Sequence, residues 1–322
     1  MSGINAGGER GQMATQLYIG TERGMFTVAE GRRGWERSHS VLGGKRIVAL
    51  DYNHGSTNLV YIAVDNEGIY SSSDAGNSVF FRQGGDAHCV YVRRDAPKTI
   101  YAGMDRALLW ASGDGGAQWH RMDTFRELWG DPEELARQNR PRGIVRAVIG
   151  QPGNRYGLFA GVDPEGLARS PDDGHLWDFV PGSPRGVRWL AGSPSNQEVI
   201  AAATDGGVVV SLDGGTVWEY RLDGLPVGPA PWVSATSAGL FTEIGGALYR
   251  TEQEGGGWHS VHAVNAAAMC PVVGDDNDRS LGAGLFYGTR DGNVYRSRDS
   301  GETWGETLSG LPPITCIAVT RD

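Results

Sequence analysis

The stretch Ser297-Arg298-Asp299-Ser300-Gly301-Glu302-Thr303-Trp304 has the pattern S-x-D-x-G-x-T-W, and it decides the fold because the same motif recurs along the chain. Three further copies keep Ser, Asp, Gly and Trp at the same spacing, and they begin at Ser112, Ser170 and Ser211. Two copies are degenerate, at residues 72–79 and 251–258. Residues 27–35, with one extra residue, make a seventh copy. Such recurrence predicts a repeat architecture.

The residue types in the motif indicate a tight turn that ends in a buried ring. Asp and Ser side chains accept hydrogen bonds from their own backbone, and Gly adopts a positive φ at little cost. A Trp side chain buries roughly 150–250 Å². We therefore expect the motif tryptophans to stabilise the fold rather than to bind a ligand.

Each motif is preceded by a strand, a short turn and a second strand. Residues 59–64 are apolar, 65–68 form a turn sequence and 69–72 return to a strand pattern. The first of these strands has counterparts elsewhere, at residues 99–103, 156–161, 198–203 and 285–289. With one strand before and one after, each unit of about 40–46 residues holds four antiparallel strands, A to D, which is typical of a β-propeller blade.

The motif resembles the Asp box of the bacterial neuraminidase repeat, which occurs in sialidases, sortilin-type receptors and the photosystem II assembly factor. The resemblance covers residues 17–319 and implies an all-β fold, a seven-bladed β-propeller with four-stranded antiparallel blades. Residues 17–20 look like a strand B without a strand A, and residues 314–319 look like a strand A with nothing after it. We therefore expect the C-terminal strand to join the first blade and close the ring.

Composition sets the expectations for location and partners. The chain has 39% hydrophobic residues and 50 Gly, without an apolar run near the ~20 residues of a membrane span. We expect a flexible leader at residues 1–14, a single domain at 15–322, a cytoplasmic location and a monomer. The net charge of −9 disfavours nucleic acid as a partner. A small anionic or carbohydrate-like ligand and a protein partner both stay open.

Neither a cofactor nor a metal site is expected. Three cysteines, Cys89, Cys270 and Cys316, fall in predicted inner strands, and this odd, widely spaced set argues against disulfides or a zinc cluster. The run at residues 275–278 is rich in carboxylates but lacks the Gly and Glu that a calcium hand needs. We interpret it as a solvated loop.

One interval between motif tryptophans is longer than its neighbours. Trp119 and Trp177 are 58 residues apart, whereas Trp177 and Trp218 are 41 apart. We place a helical insertion at about 123–142, with the helix over residues 131–139, because Asp131 and Pro132 are typical of a helix start. This insertion is either a lid beside the channel mouth or a surface loop.

Basic residues precede several predicted inner strands. In a propeller these strand starts and the B-to-C turns surround one mouth of the channel, so Arg46, His88, Arg146 and Arg188, from four successive blades, are candidates for an anion-binding arc. The alternative is structural. These side chains could instead form ion pairs with the acidic turn residues Asp65, Asp105, Asp163 and Asp205.

Three tryptophans outside the motif complete the candidate ligand-binding set. Trp129, Trp189 and Trp232 lie in or beside the predicted D-to-A connections. Aromatic rings around a polar mouth suit stacking on a sugar or a planar ligand. The alternative is packing between blades.

Sialidase activity is not expected from these residues. The family resemblance implies a Phe/Tyr-Arg-Ile-Pro motif, an arginine triad, an Asp acid/base and a Tyr-Glu nucleophile pair, but residues 45–48 read Lys-Arg-Ile-Val and lack the Pro. No Tyr-Glu pair stands at a strand start, so catalytic residues stay unassigned. Three classes remain open: a non-enzymatic binding or assembly propeller, a hydrolase or lyase for an anionic or carbohydrate-like substrate, and a protein-docking ring.

Overall fold

Seven four-stranded antiparallel sheets form the structure, and the ring of sheets is a seven-bladed β-propeller, as the sequence predicts. The computed structural model describes residues 15–32, 34–53, 55–130, 137, 143–251, 256–263, 273–274 and 284–321. Among these residues, no helix has the length and apolar character needed to cross a membrane.

The strands follow one another blade by blade, from the inner strand to the outer one, except that the first blade takes its inner strand from the C-terminal end of the chain. In the first three blades they are β1 (Thr15–Thr21), β2 (Gly24–Gly31), β3 (Gly34–Val41); β4 (Ile47–Asn53), β5 (Ser56–Val64), β6 (Gly68–Ser72), β7 (Phe80–Gly84); β8 (Ala87–Val92), β9 (Ile100–Met104), β10 (Leu109–Ser112), β11 (His120–Arg121). In blades 4 and 5 they are β12 (Ile144–Gly150), β13 (Leu158–Asp163), β14 (Gly166–Ser170), β15 (Asp178–Phe179); β16 (Trp189–Gly192), β17 (Ile200–Thr204), β18 (Gly207–Ser211), β19 (Glu219–Tyr220). In blades 6 and 7 they are β20 (Val233–Thr236), β21 (Gly239–Ile244), β22 (Ala247–Thr251), β23 (His259–Ala263); β24 (Val273–Gly274), β25 (Leu285–Gly288), β26 (Val294–Ser297), β27 (Gly305–Leu308).

The C-terminal strand closes the ring. Strand β28 (Ile314–Arg321) pairs antiparallel with β1 and supplies the inner strand of the first blade, whose order is β28-β1-β2-β3. Leu17 lies opposite Val319 and Thr21 opposite Ile314. The predicted closure by the C-terminal strand is confirmed, and it pairs the inner edge of β1 that would otherwise be open.

Burial follows the layering of the blades. Every residue of β17 and β18 is buried, because neighbouring blades cover both faces of these middle strands. The outer strands β15 and β19 have only two residues each, and all four are exposed. Short outer strands leave little open sheet edge for pairing with other chains.

The predicted motif turn has the expected chemistry. At the best copy, the Ser297 hydroxyl donates to Asp299 Oδ1 at 2.7 Å and accepts from the Gly301 N–H at 2.8 Å. Asp299 also accepts from the Thr303 N–H at 2.9 Å, and Trp304 Nε1 donates to the Gly301 carbonyl at 3.1 Å. Gly301 has φ +89°, as the motif predicts. The same bonds recur in the copies that begin at Ser112, Ser170 and Ser211.

The prediction of a seventh motif copy at residues 27–35 is wrong. This segment forms a hairpin in which Glu30 lies opposite Trp35 and Gly31 opposite Gly34. The Asp carboxylate that organises the turn in the other copies has no counterpart in this segment. The two strands therefore pair with each other up to Gly31 and Gly34. Residues 252–255 of the degenerate copy at 251–258 lie outside the described residues, and Trp258 Nε1 donates to the Arg221 carbonyl at 2.9 Å.

A short helix follows the third blade. Helix α1 (Asp123–Trp129) begins just after β11 and buries Phe125 and Trp129 against blade 4. The helix predicted at residues 131–139 lies outside the described residues, apart from residue 137, which is helical. The spacing of Phe125 and Trp129, four residues apart, is the signal that indicates α1.

Candidate functional site

Three of the predicted mouth residues occupy one equivalent position in three successive inner strands. His88 lies at an irregularity between Ala87 and Cys89, where β8 pairs with β9. Arg146 lies at the same irregularity in β12, between Val145 and Ala147. Arg188 precedes Trp189, the counterpart of Ala147, and its N–H donates to the Ala203 carbonyl. Shared register therefore brings these side chains to the same face of blades 3, 4 and 5.

Arg46 does not share this register. It precedes Ile47, which lies opposite Val64 as Val145 lies opposite Val162. Its counterpart in blade 4 is therefore Ile144, two residues before Arg146. The position in blade 2 that corresponds to His88 and Arg146 is held by Val48, at the irregularity between Ile47 and Ala49.

Acidic turn residues contact the three arginines. Arg46 lies 3.6 Å from Asp65, Arg146 lies 3.6 Å from Asp163, and Arg188 lies 2.5 Å from Asp205. Each pair joins the start of an inner strand to the B-to-C turn of the same blade. Asp105 contacts Arg106 instead, at 3.3 Å. The structural alternative for these arginines, ion pairing with turn carboxylates, is therefore present.

These contacts do not use up the hydrogen-bonding capacity of the arginines. The separations of 3.6 Å for Arg46 and Arg146 exceed hydrogen-bond length. A guanidinium carries five N–H donors. The side chains of Arg46, Arg146 and Arg188 are 48%, 37% and 45% exposed. These three side chains are therefore partly accessible to solvent.

His88 is the least satisfied polar group of the set. Its Nε2 is buried and makes no hydrogen bond within the described part of the chain, and the nearest carboxylate oxygen, on Asp86, is 3.8 Å away. Burial lowers the pKa of His88, Arg146 lowers it further, and Asp86, Asp105 and Asp65 act in the opposite direction. Charged side chains of blades 2 and 4, Asp65 and Arg146, therefore act on the pKa of this imidazole.

The three candidate tryptophans pack in the blades. Trp129 is 8% exposed and contacts Phe179 edge-on at 4.5 Å, and Trp232 is 2% exposed in a core with Phe241 and Tyr287. Trp189 is half-buried between two core clusters. Such burial leaves Trp129 and Trp232 little surface to offer a ligand. Trp129 and Trp232 thus pack between structural elements, which is the structural alternative to ligand binding.

Cysteines and carboxylates form no metal-like cluster in the part of the chain that the structure describes. No three His, Cys, Asp or Glu side chains come together there. Cys89 and Cys316 are buried, and burial raises the pKa of each thiol to about 12. Cys270 and residues 275–278 lie outside the described residues.

A polar cleft that the sequence did not predict lies at the other end of the same inner strands. It has a volume of about 680 Å³ and is lined by the A-to-B loops of blades 3, 4 and 5. Arg93, Gln151 and Ser193 are among its lining residues. Loops with mixed polar residues carry no periodic signal, so this cleft emerges only from the fold.

Comparison with known proteins shows the fold alone. No protein-family profile and no curated relative matches the chain. Among solved structures, it is similar to a GH74 xyloglucanase from Xanthomonas campestris, with a TM-score of 0.64, 16% identity and coverage of 94% of this chain and 53% of that one. It is also similar to YCF48 bound to D1 peptide, with a TM-score of 0.58, 15% identity and coverage of 81% of each chain. AztD from Citrobacter koseri matches with a TM-score of 0.54, 10% identity and coverage of 94% and 84%.

The chain thus spans about half the length of the xyloglucanase and 38% of an ancestral GH74 enzyme. These structural neighbours include glycoside hydrolases and a propeller with a bound peptide. At such low identity, they support the propeller fold and leave the function to be argued from the site.

Proposed function

We propose that this protein is a binding or assembly propeller whose channel mouth receives a small anionic ligand on blades 3 to 5. The observation that carries the proposal is the shared register of His88, Arg146 and Arg188, which sets three nitrogen-bearing side chains on one face. Arg46 in blade 2 lies at the margin of this set. A carboxylate, phosphate or sulfate is the ligand class that guanidinium groups recognise best.

The ion pairs are compatible with this role. Turn carboxylates hold the arginine side chains in place before binding, and a held side chain loses less freedom when a ligand arrives. Arg146 keeps donors available because its contact with Asp163 is 3.6 Å long. His88 Nε2 lacks a hydrogen-bond partner among the described residues, so a ligand oxygen would satisfy it.

Neighbouring structures add limited support for the binding class. One of the similar propellers carries a bound peptide, YCF48 with D1 peptide. A peptide carboxylate has the same chemistry as a small acid, so a terminal or acidic side-chain carboxylate belongs to the proposed ligand class. Cytoplasmic location and a monomeric state stay predictions.

The test is a binding titration with sulfate, phosphate and citrate on wild type and on the Arg146→Ala/Arg188→Ala double variant. Charge-assisted hydrogen bonds contribute about 1.5–3 kcal/mol each, so each single substitution should weaken binding about tenfold or more. Arg169→Ala serves as the control, because Arg169 is exposed on β14 away from the strand starts. If no anion binds wild type better than the double variant, the mouth is a set of structural ion pairs and a protein-docking ring is favoured.

Hydrolysis of an anionic or carbohydrate-like substrate is the second candidate. It rests on the turn carboxylates, because glycoside hydrolysis uses a pair of carboxyl groups. Asp65, Asp163 and Asp205 contact the mouth arginines, and Asp105 acts on the pKa of His88. Chromatography of acidic oligosaccharides after incubation with the protein would detect turnover. Products that disappear in Asp105→Asn or Asp163→Asn would favour this candidate, whereas unchanged substrate favours binding alone.

A further inference from the structure

The cleft at the opposite end of the inner strands has the size and construction of a ligand site. Its walls are the loops that follow β8, β12 and β16, and its volume of about 680 Å³ falls in the usual range of small-molecule sites, roughly 300–1,000 Å³. The mouth described above lies where these three strands begin. The two locations therefore face opposite sides of the ring.

One of the residues that line the cleft is a buried arginine, Arg93. Arg93 is only 4% exposed, and its guanidinium donates to Asp95 at 2.9 Å and also contacts Asp173 of the next blade. It further donates to the Arg155 carbonyl. Because these contacts come from two blades, the guanidinium is oriented before any ligand arrives.

The rim of the cleft adds exposed positive charge. Arg155 is 67% exposed and contacts Asp95 at 3.1 Å, and Arg94 is also exposed. The lining residues therefore include three arginines and one carboxylate, Asp95. A second carboxylate, Asp173, contacts Arg93 from behind. The exposed side of the cleft thus favours an acidic group.

The remaining lining is suited to hydroxyl groups. Four amide or hydroxyl side chains face this cleft: Gln151, Asn154, Ser193 and Gln197. Tyr91 and Ile149 contribute apolar surface beside them. Amides and hydroxyls both donate and accept hydrogen bonds, which matches a polyhydroxylated ligand.

We propose that this cleft binds an acidic sugar, a uronic acid monosaccharide or disaccharide, with its carboxylate on the arginine side and its hydroxyls on the amide side. The volume accommodates one or two sugar rings, and Tyr91 is part of the lining. This site is separate from the mouth and does not depend on the anion proposed there.

The experiment is calorimetric titration with glucuronate and digalacturonate, with glucose and cellobiose as neutral counterparts. We expect the acidic sugars to bind and the neutral ones to bind about tenfold or more weakly, because a guanidinium interaction is lost. Arg94→Ala should lower the affinity for acidic sugars by a similar factor. Gln197→Trp should abolish binding by filling the cleft, since Gln197 lies beside Gly153 in its wall.

Controls separate this site from the mouth and from misfolding. Arg169→Ala and the mouth variant Arg146→Ala should bind acidic sugars as wild type does, and all variants should unfold cooperatively. Sugar binding that is lost in Arg146→Ala but kept in Gln197→Trp would overturn the cleft assignment and place the ligand at the mouth. Failure of both acidic sugars to bind more tightly than about 10 mM would also overturn it.

Discussion

Tyr101 of blade 3 donates a hydrogen bond from its hydroxyl to Asp173 Oδ1 of blade 4 at 2.6 Å. Asp173 occupies the fourth position of the motif turn, with φ +65°. The same link recurs one blade earlier, where the Tyr61 hydroxyl donates to the Gly115 carbonyl at 3.0 Å. An aromatic side chain on the second strand of one blade thus docks on the motif turn of the next.

This docking explains why the motif is fixed in geometry as well as in sequence. Phe241 takes the equivalent position in blade 6, and a Cβ atom added to Gly301 would lie 2.6 Å from its ring. Glycine is therefore required at position 301 for two reasons: the backbone has a positive φ, and the Phe241 ring of the neighbouring blade approaches too closely for a Cβ atom. The motif turn is consequently a contact between blades and not only a corner within one.

Loss of the Tyr101 hydroxyl should weaken the contact between blades 3 and 4. We expect Tyr101→Phe to lower the free energy of unfolding by about 0.5–1.5 kcal/mol, because one hydrogen bond is removed while the ring remains. Urea unfolding measures the change. Tyr156→Phe is the matched control, since Tyr156 is 53% exposed. Equal stability of the Tyr101 variant and wild type would contradict the proposed link.

A motif tryptophan should carry stability rather than binding. Trp177 is 4% exposed, contacts Phe125 edge-on at 4.8 Å and donates to the Gly174 carbonyl at 3.0 Å. We expect Trp177→Ala to cost about 3–5 kcal/mol of stability. Trp177→Phe should cost less, because it keeps a ring in the same space. Thermal unfolding of both variants checks this, and an unchanged Tm for Trp177→Ala would refute it.

The repeat motif made the fold predictable because its residues act locally. Ser297 and Asp299 organise a turn of a few residues, so their pattern survives in the sequence whatever surrounds it. Ring closure was predictable for a related reason: residues 314–319 have a strand pattern but no following strand to pair with. The segment at residues 27–35 misled because it kept the end residues of the motif but not the carboxylate.

The candidate site was less predictable because it depends on register. Arg46 and Arg146 both stand at the start of an inner strand, but their positions in the strand pairing of their blades differ by two residues. Contact between a guanidinium and a carboxylate depends on distances of a few ångströms between different loops. Sequence spacing does not give these distances. The polar cleft around Arg93 brings together three loops distant in sequence, and no local pattern reports such proximity.

Removal of the last strand should disrupt the ring. Without residues 314–322, β1 would lose its inner partner β28 and keep only β2, and Ile314, Ile317 and Val319 would leave the core cluster that contains Leu17. We expect aggregation or loss of cooperative unfolding, because an open sheet edge and apolar surface become exposed. Size-exclusion chromatography and thermal unfolding provide the test. A monomeric truncated protein with an unchanged Tm would contradict ring closure.

Asp51 should make stability fall as pH rises through the mildly acidic range. Its carboxylate accepts N–H groups from Tyr52 at 2.9 Å and from Val92 at 2.7 Å, yet burial raises its pKa to about 6. The folded state thus favours the neutral form. The stability that Asp51 contributes is fully present below its unfolded pKa of about 3.9 and is lost as pH rises through about 6.

Urea unfolding at several pH values would isolate this contribution. Relative to wild type, Asp51→Asn should gain stability between pH 4 and 6, because the variant does not titrate there. Asp299→Asn is the comparison with the opposite sign. Hydrogen bonds from Thr303 and Ser297 lower the pKa of Asp299 to about 2, so its contribution is present above about pH 4 and is lost as pH falls through 2. A pH-independent difference for Asp51→Asn would contradict the prediction.

Anion binding at the mouth should strengthen as pH falls, through His88. Burial holds the pKa of His88 below its ordinary value, and the positive charge of Arg146 adds to this effect. A bound anion supplies negative charge beside the imidazole and raises its pKa, so binding takes up a proton. For each unit by which the anion raises the pKa of His88, binding becomes up to about tenfold tighter. The full gain is reached once the pH lies below the pKa of His88 in the free protein.

Sulfate is the appropriate probe for this prediction, because its charge stays constant from pH 7.5 to 5. We expect the sulfate affinity of wild type to rise across this interval, whereas His88→Gln should show a flat profile because its side chain does not titrate. Proton uptake in two calorimetric buffers of different ionisation enthalpy gives a second readout. Identical pH profiles for wild type and His88→Gln would mean that another group controls binding, and His88 would then be a packing residue at the start of β8.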